Sequence, residues 1–162
     1  MVKKRILVTG GAGYVGTALL PKLIEAGHEV TVFDNLMQGG NQLLSFFRNK
    51  NFHFINGDVT IKKDVEAAVK DKDIIIHLAA IVGFPACKNN PELATNVNVG
   101  GTQNIIEATS PEQVILYGST GSNYGKVTDI CTEESPLNPL SLYGETKTEA
   151  EHMLMARGNV IA

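Results

Sequence analysis

Four glycines between a short apolar stretch and a helical pattern constrain this chain more than any other feature. In Arg5-Ile-Leu-Val-Thr-Gly-Gly-Ala-Gly-Tyr-Val-Gly16, Ile6 to Val8 is apolar without helical period, and glycines follow at 10, 11, 13 and 16. From Tyr14 to Ala26 the apolar residues Val15, Ala18, Leu19, Leu23 and Ala26 fall largely on one face, which predicts a helix. A buried strand therefore turns through glycine into a helix. Such a turn aims backbone N–H groups and the positive end of the helix dipole at one point, a suitable seat for a pyrophosphate. A Cβ would block the turn, the approach of the phosphate or the packing of helix on strand. Two frames fit, Gly11-x-Gly13-x-x-Gly16 and Gly10-x-x-Gly13-x-x-Gly16, and both put Gly13 and Gly16 at the phosphate turn.

A glycine triplet alone is equally compatible with a tight turn that binds nothing, and the next strand decides. Glu29 to Phe33 reads as a strand closed by Asp34, eighteen residues after Gly16. A carboxylate there is placed to accept hydrogen bonds from the ribose hydroxyls of an adenine dinucleotide. It would repel a 2′-phosphate by roughly 4 kcal/mol per unit charge for a close pair near a surface. Asn35-Leu36 offers no arginine to offset this. NAD rather than NADP is the predicted cofactor.

Composition excludes several other classes. With 162 residues, 43% hydrophobic and 19% charged, the chain is globular and long enough to bury a core. A net charge of −3, from 14 basic and 17 acidic residues, argues against a nucleic-acid surface. No apolar run approaches a bilayer span and the N-terminus has no signal pattern, so the cytoplasm is the expected compartment and no membrane partner is expected. The two cysteines, Cys87 and Cys131, lack metal-ligand spacing, and no metal is expected.

Strand and helix patterns alternate along the chain, which predicts an α/β fold, a doubly wound parallel sheet of the Rossmann type with helices on both faces. Pro21 falls inside the first helical pattern and should kink it or force a local adjustment. A short helix is expected at Leu43–Phe47, a strand at Phe52–Asn56, a helix at Asp64–Lys70 and a fourth strand at Asp73–Leu78. One long helix over Glu92–Thr109 and a fifth strand over Gln113–Tyr117 follow. Gly118 to Leu140 is an irregular loop long enough to suggest a site. A helix over Ser141–Met155 and the start of a strand at Asn159–Ile161 complete the pattern. The expected strand order is 3-2-1-4-5, with Gln113–Tyr117 an open edge. Residues 1–162 read as one NAD-binding domain forming the front part of a longer, two-lobed enzyme.

Tyr143 and Lys147 lie four apart on the last helix and share a face. A free tyrosine, with a pKa near ~10, is a poor base at neutral pH. A lysine one turn away, together with a cationic nicotinamide, would favour the phenolate and let Tyr143 take a proton from an alcohol. An arbitrary pair at this spacing is far more often mere surface.

Other motifs overturn those odds. Thr9-Gly-Gly-Ala-Gly-Tyr-Val-Gly16, Phe33-Asp-Asn-Leu36, Gly57-Asp-Val59, His77-Leu-Ala-Ala80, Asn98-Val-Gly-Gly-Thr102, Tyr117-Gly-Ser-Thr-Gly-Ser-Asn-Tyr-Gly125 and Tyr143-Gly-Glu-Thr-Lys147 occur in order. Together they resemble the extended short-chain dehydrogenase/reductases, and among these the NAD-dependent nucleotide-sugar epimerases and dehydratases. The resemblance implies that Gly10, Gly13 and Gly16, with Tyr14 and Val15, cradle the pyrophosphate. It implies Asp34 and Asn35 at the adenosine ribose, Asp58 and Val59 beside adenine, and Leu78, Ala79 and Ala80 beneath the dinucleotide. It further implies Asn98 as an asparagine that positions the site, Thr120 on the reacting hydroxyl, Tyr143 as base, and Lys147 as its partner on the nicotinamide ribose. The implied substrate is a UDP- or dTDP-linked sugar, and a homodimer is the expected assembly.

Simpler roles compete at several positions. Asp58 could instead cap the following helix, His77 reads as a satisfied core residue, and Cys87 reads as structural. Ser122 and Tyr124 either line a substrate pocket or only shape their loop. Two departures narrow the chemistry. Dehydratases of this group carry an acidic pair after the Ser/Thr, where Gly121 and Ser122 stand here, and related decarboxylases keep a glutamate in place of Ser122. Epimerase and simple reductase remain, with a non-catalytic NAD-binding module as the alternative from another class. The extra glycine in Gly100-Gly101 reads as minor.

Overall fold

The computed structural model describes residues 2–127 and 130–162. Its frame is a six-stranded parallel sheet in the order β3-β2-β1-β4-β5-β6. The strands are β1 (Arg5–Thr9), β2 (Glu29–Asp34), β3 (Phe52–Asn56), β4 (Ile74–His77), β5 (Val114–Tyr117) and β6 (Val160–Ile161). The α-helices are α1 (Tyr14–Glu25), α2 (Lys62–Val69), α3 (Phe84–Asn89), α4 (Pro91–Thr95), α5 (Gly101–Ala108) and α6 (Leu142–Arg157). The expected α/β class and order hold. The expected open edge does not, because Ile115 and Leu116 pair with Val160 and Ile161. The edge falls on two-residue β6 instead, and short edge strands expose few unpaired groups.

Alternation along the strands sends side chains to two cores. Ile6, Val8, Val30, Val32 and Ile76 pack with Leu20 of α1 and Leu43 of a 3₁₀ turn, Asn41–Phe46. Leu7, Phe33, Ile75 and Ile115 pack on the other face with Val65 of α2, Ile105 of α5 and Leu154 of α6.

Two helix expectations need correction. The buried stripe of α1 is Gly16 and Leu20, with Leu23 and Ile24 partly covered, whereas Val15, Ala18 and Ala26 are exposed. Leu19, Leu20, Leu23 and Ile24 hold the helix on its core, and the close seat of Gly16 on Gly11 fixes the rotation that leaves Val15 and Ala18 outside. It runs continuously through Pro21. The long helix expected at Glu92–Thr109 is α4, a π turn over Asn96–Gly100 and then α5. Pro85 and Pro91 at helix starts permit α3 and α4, which the pattern concealed. Gly101 is also more than a minor departure: a Cβ there would lie 2.7 Å from Val59 Cγ2, whereas one on Gly100 would meet open space.

His77 is the satisfied core residue expected. Thr102 donates its hydroxyl hydrogen to the Asn98 carbonyl at 2.6 Å, so it accepts from His77 Nε2 at 3.0 Å. His77 Nδ1 then accepts from Thr9 Oγ1 at 2.7 Å, which itself accepts from the Ala79 N–H at 3.2 Å. The chain of bonds ties β1, β4, the π turn and α5 through a neutral imidazole. Burial, reinforced by nearby Lys147, pushes its pKa down to about 3. The unfolded chain therefore binds the proton first. Stability due to this site is intact above about pH 6.5 and is lost as pH falls from there toward the folded value. Urea titrations between about pH 6 and pH 5 should show His77→Gln flattening the slope of stability with pH by up to about 1.4 kcal/mol per unit; an unchanged slope would contradict the neutral, buried assignment.

Candidate active site

Loops following the C-terminal ends of β1, β2, β3 and β4 enclose a cleft of about 340 Å³. In an open α/β sheet, ligands bind outside the carboxyl ends of the strands, where successive connections run to opposite sides. Here β1 connects toward β2 and β3, and the chain then crosses to β4, so the reversal lies between β1 and β4. The cleft sits over it.

The first wall is the glycine turn. Gly10 adopts φ +67°, and a Cβ there would lie 2.6 Å from the Ala79 nitrogen. Gly16 is buried, where a Cβ would lie 2.5 Å from the Gly11 carbonyl oxygen. Gly13 is the N-cap of α1 and lines the cleft; its added Cβ would meet only Gly10 O, at 3.1 Å. The tight turn, open approach and helix contact thus fall to Gly10, Gly13 and Gly16, the second of the two frames. Gly11 supplies a further contact, against Val32. No side chain caps α1 and no acidic residue occupies its first turn, so the N–H groups of that turn open onto the cleft, the Asp34 carboxylate being held by the Ala12 N–H just ahead of them. Tyr14 and Val15 expose their side chains and offer this opening only their backbone N–H groups.

The second wall combines the ends of β2 and β3. Asp34 Oδ2 accepts from the Ala12 N–H at 3.0 Å and Oδ1 from the Leu36 N–H at 2.8 Å. One carboxylate thus fixes the glycine turn and its own loop, with lone pairs left over. Asn35 donates to Asp58 Oδ2 at 2.9 Å, joining the two loops. Asp58 does not cap a helix: α2 starts beyond Ile61, and Asp58 Oδ1 accepts from the Thr60 N–H and hydroxyl at 2.9 and 2.8 Å. Burial works against its ionised form, but the bonds from Thr60 and Asn35 prevail and hold its pKa below the ordinary value. Val59, Ala79 and Ala80 line the cleft as well, while Leu78 packs into the core on the α1 side.

The third group lies beyond the cleft lining and is tied to it by Asn98. This buried side chain accepts from the Ile81 N–H at 2.8 Å and donates to Ile81 O at 3.1 Å and Thr146 Oγ1 at 3.0 Å. All its hydrogen-bonding atoms are engaged within the protein, joining the loop after β4 to α6. Tyr143 is half-buried and Lys147 is 3% exposed, next in sequence to Thr146. Lys147 Nζ stands 3.8 Å from the centroid of the Tyr117 ring. Burial pushes the Lys147 pKa down to about 8, with Glu151 opposing. Burial raises the Tyr117 phenol well above its ordinary range, with Glu151 and Tyr143 adding to this. Tyr117 is therefore no base, and its hydroxyl donates to the Lys147 carbonyl at 3.4 Å. Thr120 is half-buried and caps a 3₁₀ turn, Gly121–Tyr124, accepting from the Ser122 N–H at 3.2 Å. That turn packs on α6, where a Cβ on Gly144 would lie 2.8 Å from Ser122 O.

Several participants had no signal in the sequence. Met37, Gln38 and Gly39 line the cleft, and Gln42 reaches back from the 3₁₀ turn to the Ala12 carbonyl. Ser119, Asn123 and Glu151 join into one cluster. Cys87 is buried, with its thiol against Ile81 O and its pKa raised by burial, as a structural residue would be. Among the described residues no group of acidic, histidine or cysteine side chains could hold a metal, and no helix is long and apolar enough to cross a membrane.

Comparison with known proteins agrees with this geometry. Residues 6–159 match the NAD dependent epimerase/dehydratase family. UDP-glucuronic acid decarboxylase 1 of Danio rerio is 36% identical over 95% of this chain and 38% of its own length. UDP-glucose 4-epimerase 3 of Oryza sativa is 34% identical over 91% of this chain and 43% of its own. A UDP-glucose 4-epimerase of Thermus thermophilus, solved in complex with NAD, superposes with a TM-score of 0.85 at 32% identity, covering 95% of this chain and 50% of that one. The chain spans about half the length, or less, of the relatives it matches. With its strand order, glycine turn and family match in agreement, the chain belongs to the NAD dependent epimerase/dehydratase family.

Proposed function

We propose that this chain binds NAD in the cleft and supplies the hydride-transfer machinery of a nucleotide-sugar epimerase. The observation that carries the reading is the cleft itself: an uncapped helix end on one wall and the Asp34 carboxylate on the next, 340 Å³ of space between the loops, and α6 joined to its rim through Asn98. In this reading the backbone of Gly10 and Gly13 to Gly16, with Tyr14 and Val15, holds the pyrophosphate. Asp34 and Asn35 hold the adenosine ribose, and Asp58, Val59, Ala79 and Ala80 flank the dinucleotide. Leu78 and Asn98 act from behind, by placing the loop after β4. When bound, NAD would accept a hydride from a sugar carbon and return it. Tyr143 takes the proton of the reacting hydroxyl, Thr120 hydrogen-bonds that hydroxyl, and Lys147 stabilises the phenolate and the nicotinamide ribose. Gly121 and Ser122 have no acid–base capacity near neutral pH, which favours an epimerase over a dehydratase. A one-way reductase or dehydrogenase would use the same residues and would be told apart by a net change of NADH in proportion to substrate turned over, NADH being consumed by a reductase and accumulated by a dehydrogenase.

Calorimetry should give a far smaller Kd for NAD than for NADP, and Asp34→Asn should narrow the gap. Asparagine keeps an acceptor for the turn while removing the charge that repels a 2′-phosphate. Equal affinities in the unaltered chain would contradict the reading. Lys147→Ala should weaken NAD binding several-fold while Tyr143→Phe leaves it nearly intact; the opposite ranking would remove Lys147 from the ribose. The 162 residues alone should bind NAD without turning over UDP-galactose, because a sugar nucleotide not held against Tyr143 forgoes a proximity advantage of up to ~7–11 kcal/mol. Clear turnover would contradict this.

A further inference from the structure

Lys147 is buried with no anion beside it: among the described residues no carboxylate lies within ion-pair distance of its Nζ. Four groups bear on it. Tyr117 of β5 lies under the ammonium, the neutral His77 of β4 senses its charge, and Tyr143 and Glu151 lie one turn before and one turn after it on α6. Of these, Glu151 alone carries the opposite charge, and its pull on Lys147 works against burial.

The place of that carboxylate is fixed from outside the helix. Ser119 donates its hydroxyl to Glu151 Oε2, and the buried Asn123 donates from Nδ2 to the same oxygen at 3.0 Å and to Ser119 Oγ at 3.0 Å. Ser119 immediately precedes Thr120, and the Asn123 N–H donates to Thr120 O at 3.3 Å. Both flanks of Thr120 are therefore fastened to one side chain of α6. The orientation of Asn123 follows from the same contacts, since a flipped amide would set its oxygen against the carboxylate. As it stands, its Oδ1 is buried without a partner, so the clamp is kept despite an unmet acceptor.

We infer that Glu151 is a positioning residue with two tasks: clamped by Ser119 and Asn123, it fixes Thr120 relative to Tyr143 and Lys147, and its charge keeps the buried Lys147 protonated. The roles of Thr120, Tyr143 and Lys147 rest on the function proposed above, but the clamp and the charge effect can be measured without NAD or sugar. Failure of the inference is thereby separable from failure of that function.

The test is a pH titration by NMR of the chain labelled with ¹³C at lysine Cε, the Lys147 signal being assigned by its loss in Lys147→Arg. Glu151→Gln keeps acceptors for Ser119 and Asn123 while removing the charge. It should lower the Lys147 midpoint by roughly one unit from about 8 and leave amide exchange of Asn123 unchanged. Glu151→Ala should lower the midpoint similarly and also speed exchange at Asn123 by at least tenfold. Glu151→Asp, which retains charge on a shorter arm, should hold the midpoint near the starting value. An unmoved Lys147 midpoint in a folded Glu151→Gln protein overturns the electrostatic task, and unchanged Asn123 exchange in Glu151→Ala overturns the clamp.

Discussion

The close approach of the glycine turn to the loop after β4 is the constraint on which the rest of the molecule depends. β1 and β4 are parallel neighbours, so their C-terminal ends lie side by side, and Gly10 passes so near Ala79 that no side chain fits between them. The same two ends are tied by Thr9, whose hydroxyl joins Ala79 to His77. Backbone with few side chains thereby surrounds the point where the sheet connections reverse. A polar ligand can approach peptide groups there, which is the condition for an anion to be held by N–H groups alone.

From that point, positional information passes outward through buried polar side chains. His77 links the strands to Thr102, and Thr102 to the π turn that carries Asn98. Asn98 links the loop after β4 to Thr146, beside Lys147. Each of these groups is satisfied on both sides, so rotating any one leaves a buried donor or acceptor unpaired, at about 1–3 kcal/mol. The network orients α6 without placing an anion beside Lys147. Over the Tyr117 ring and one turn from Glu151, the buried amine has a pKa pushed down by burial to about 8, with Glu151 opposing that shift.

Much of this was legible in the sequence, for identifiable reasons. Strands in a parallel sheet are covered on both faces, so Ile6–Val8, Glu29–Phe33 and Phe52–Asn56 stand out as apolar or β-prone runs, and the structure returns them nearly unchanged. Tyr143 and Lys147 share a helix because helical spacing is a local property. What escaped was non-local. The burial of α1 is set by Gly16 against Gly11, a backbone contact without hydrophobic signature. The π turn has the same apolar spacing as the helix it interrupts, so periodicity could not separate them. The sequence shows the start of a strand at Asn159–Ile161 but not its partner, because two residues carry no register from which their pairing with β5 can be read. Nothing in the sequence separates Glu151 from a solvated charge on α6, since Ser119 and Asn123 meet it only in the fold, across roughly thirty positions.

The central claim is that the carboxyl ends of β1 to β4 form one dinucleotide seat. Mapping amide chemical shifts of ¹⁵N-labelled protein during titration with NAD tests it most directly. The account predicts that perturbations cluster at Gly10 to Val15, Asp34 and Asn35, Asp58 and Val59, and Ala79 to Ile81. Perturbations centred instead on the opposite end of the sheet, around Lys4, Glu66 and Asp73 where a second cleft lies, or none at saturating NAD, would contradict it.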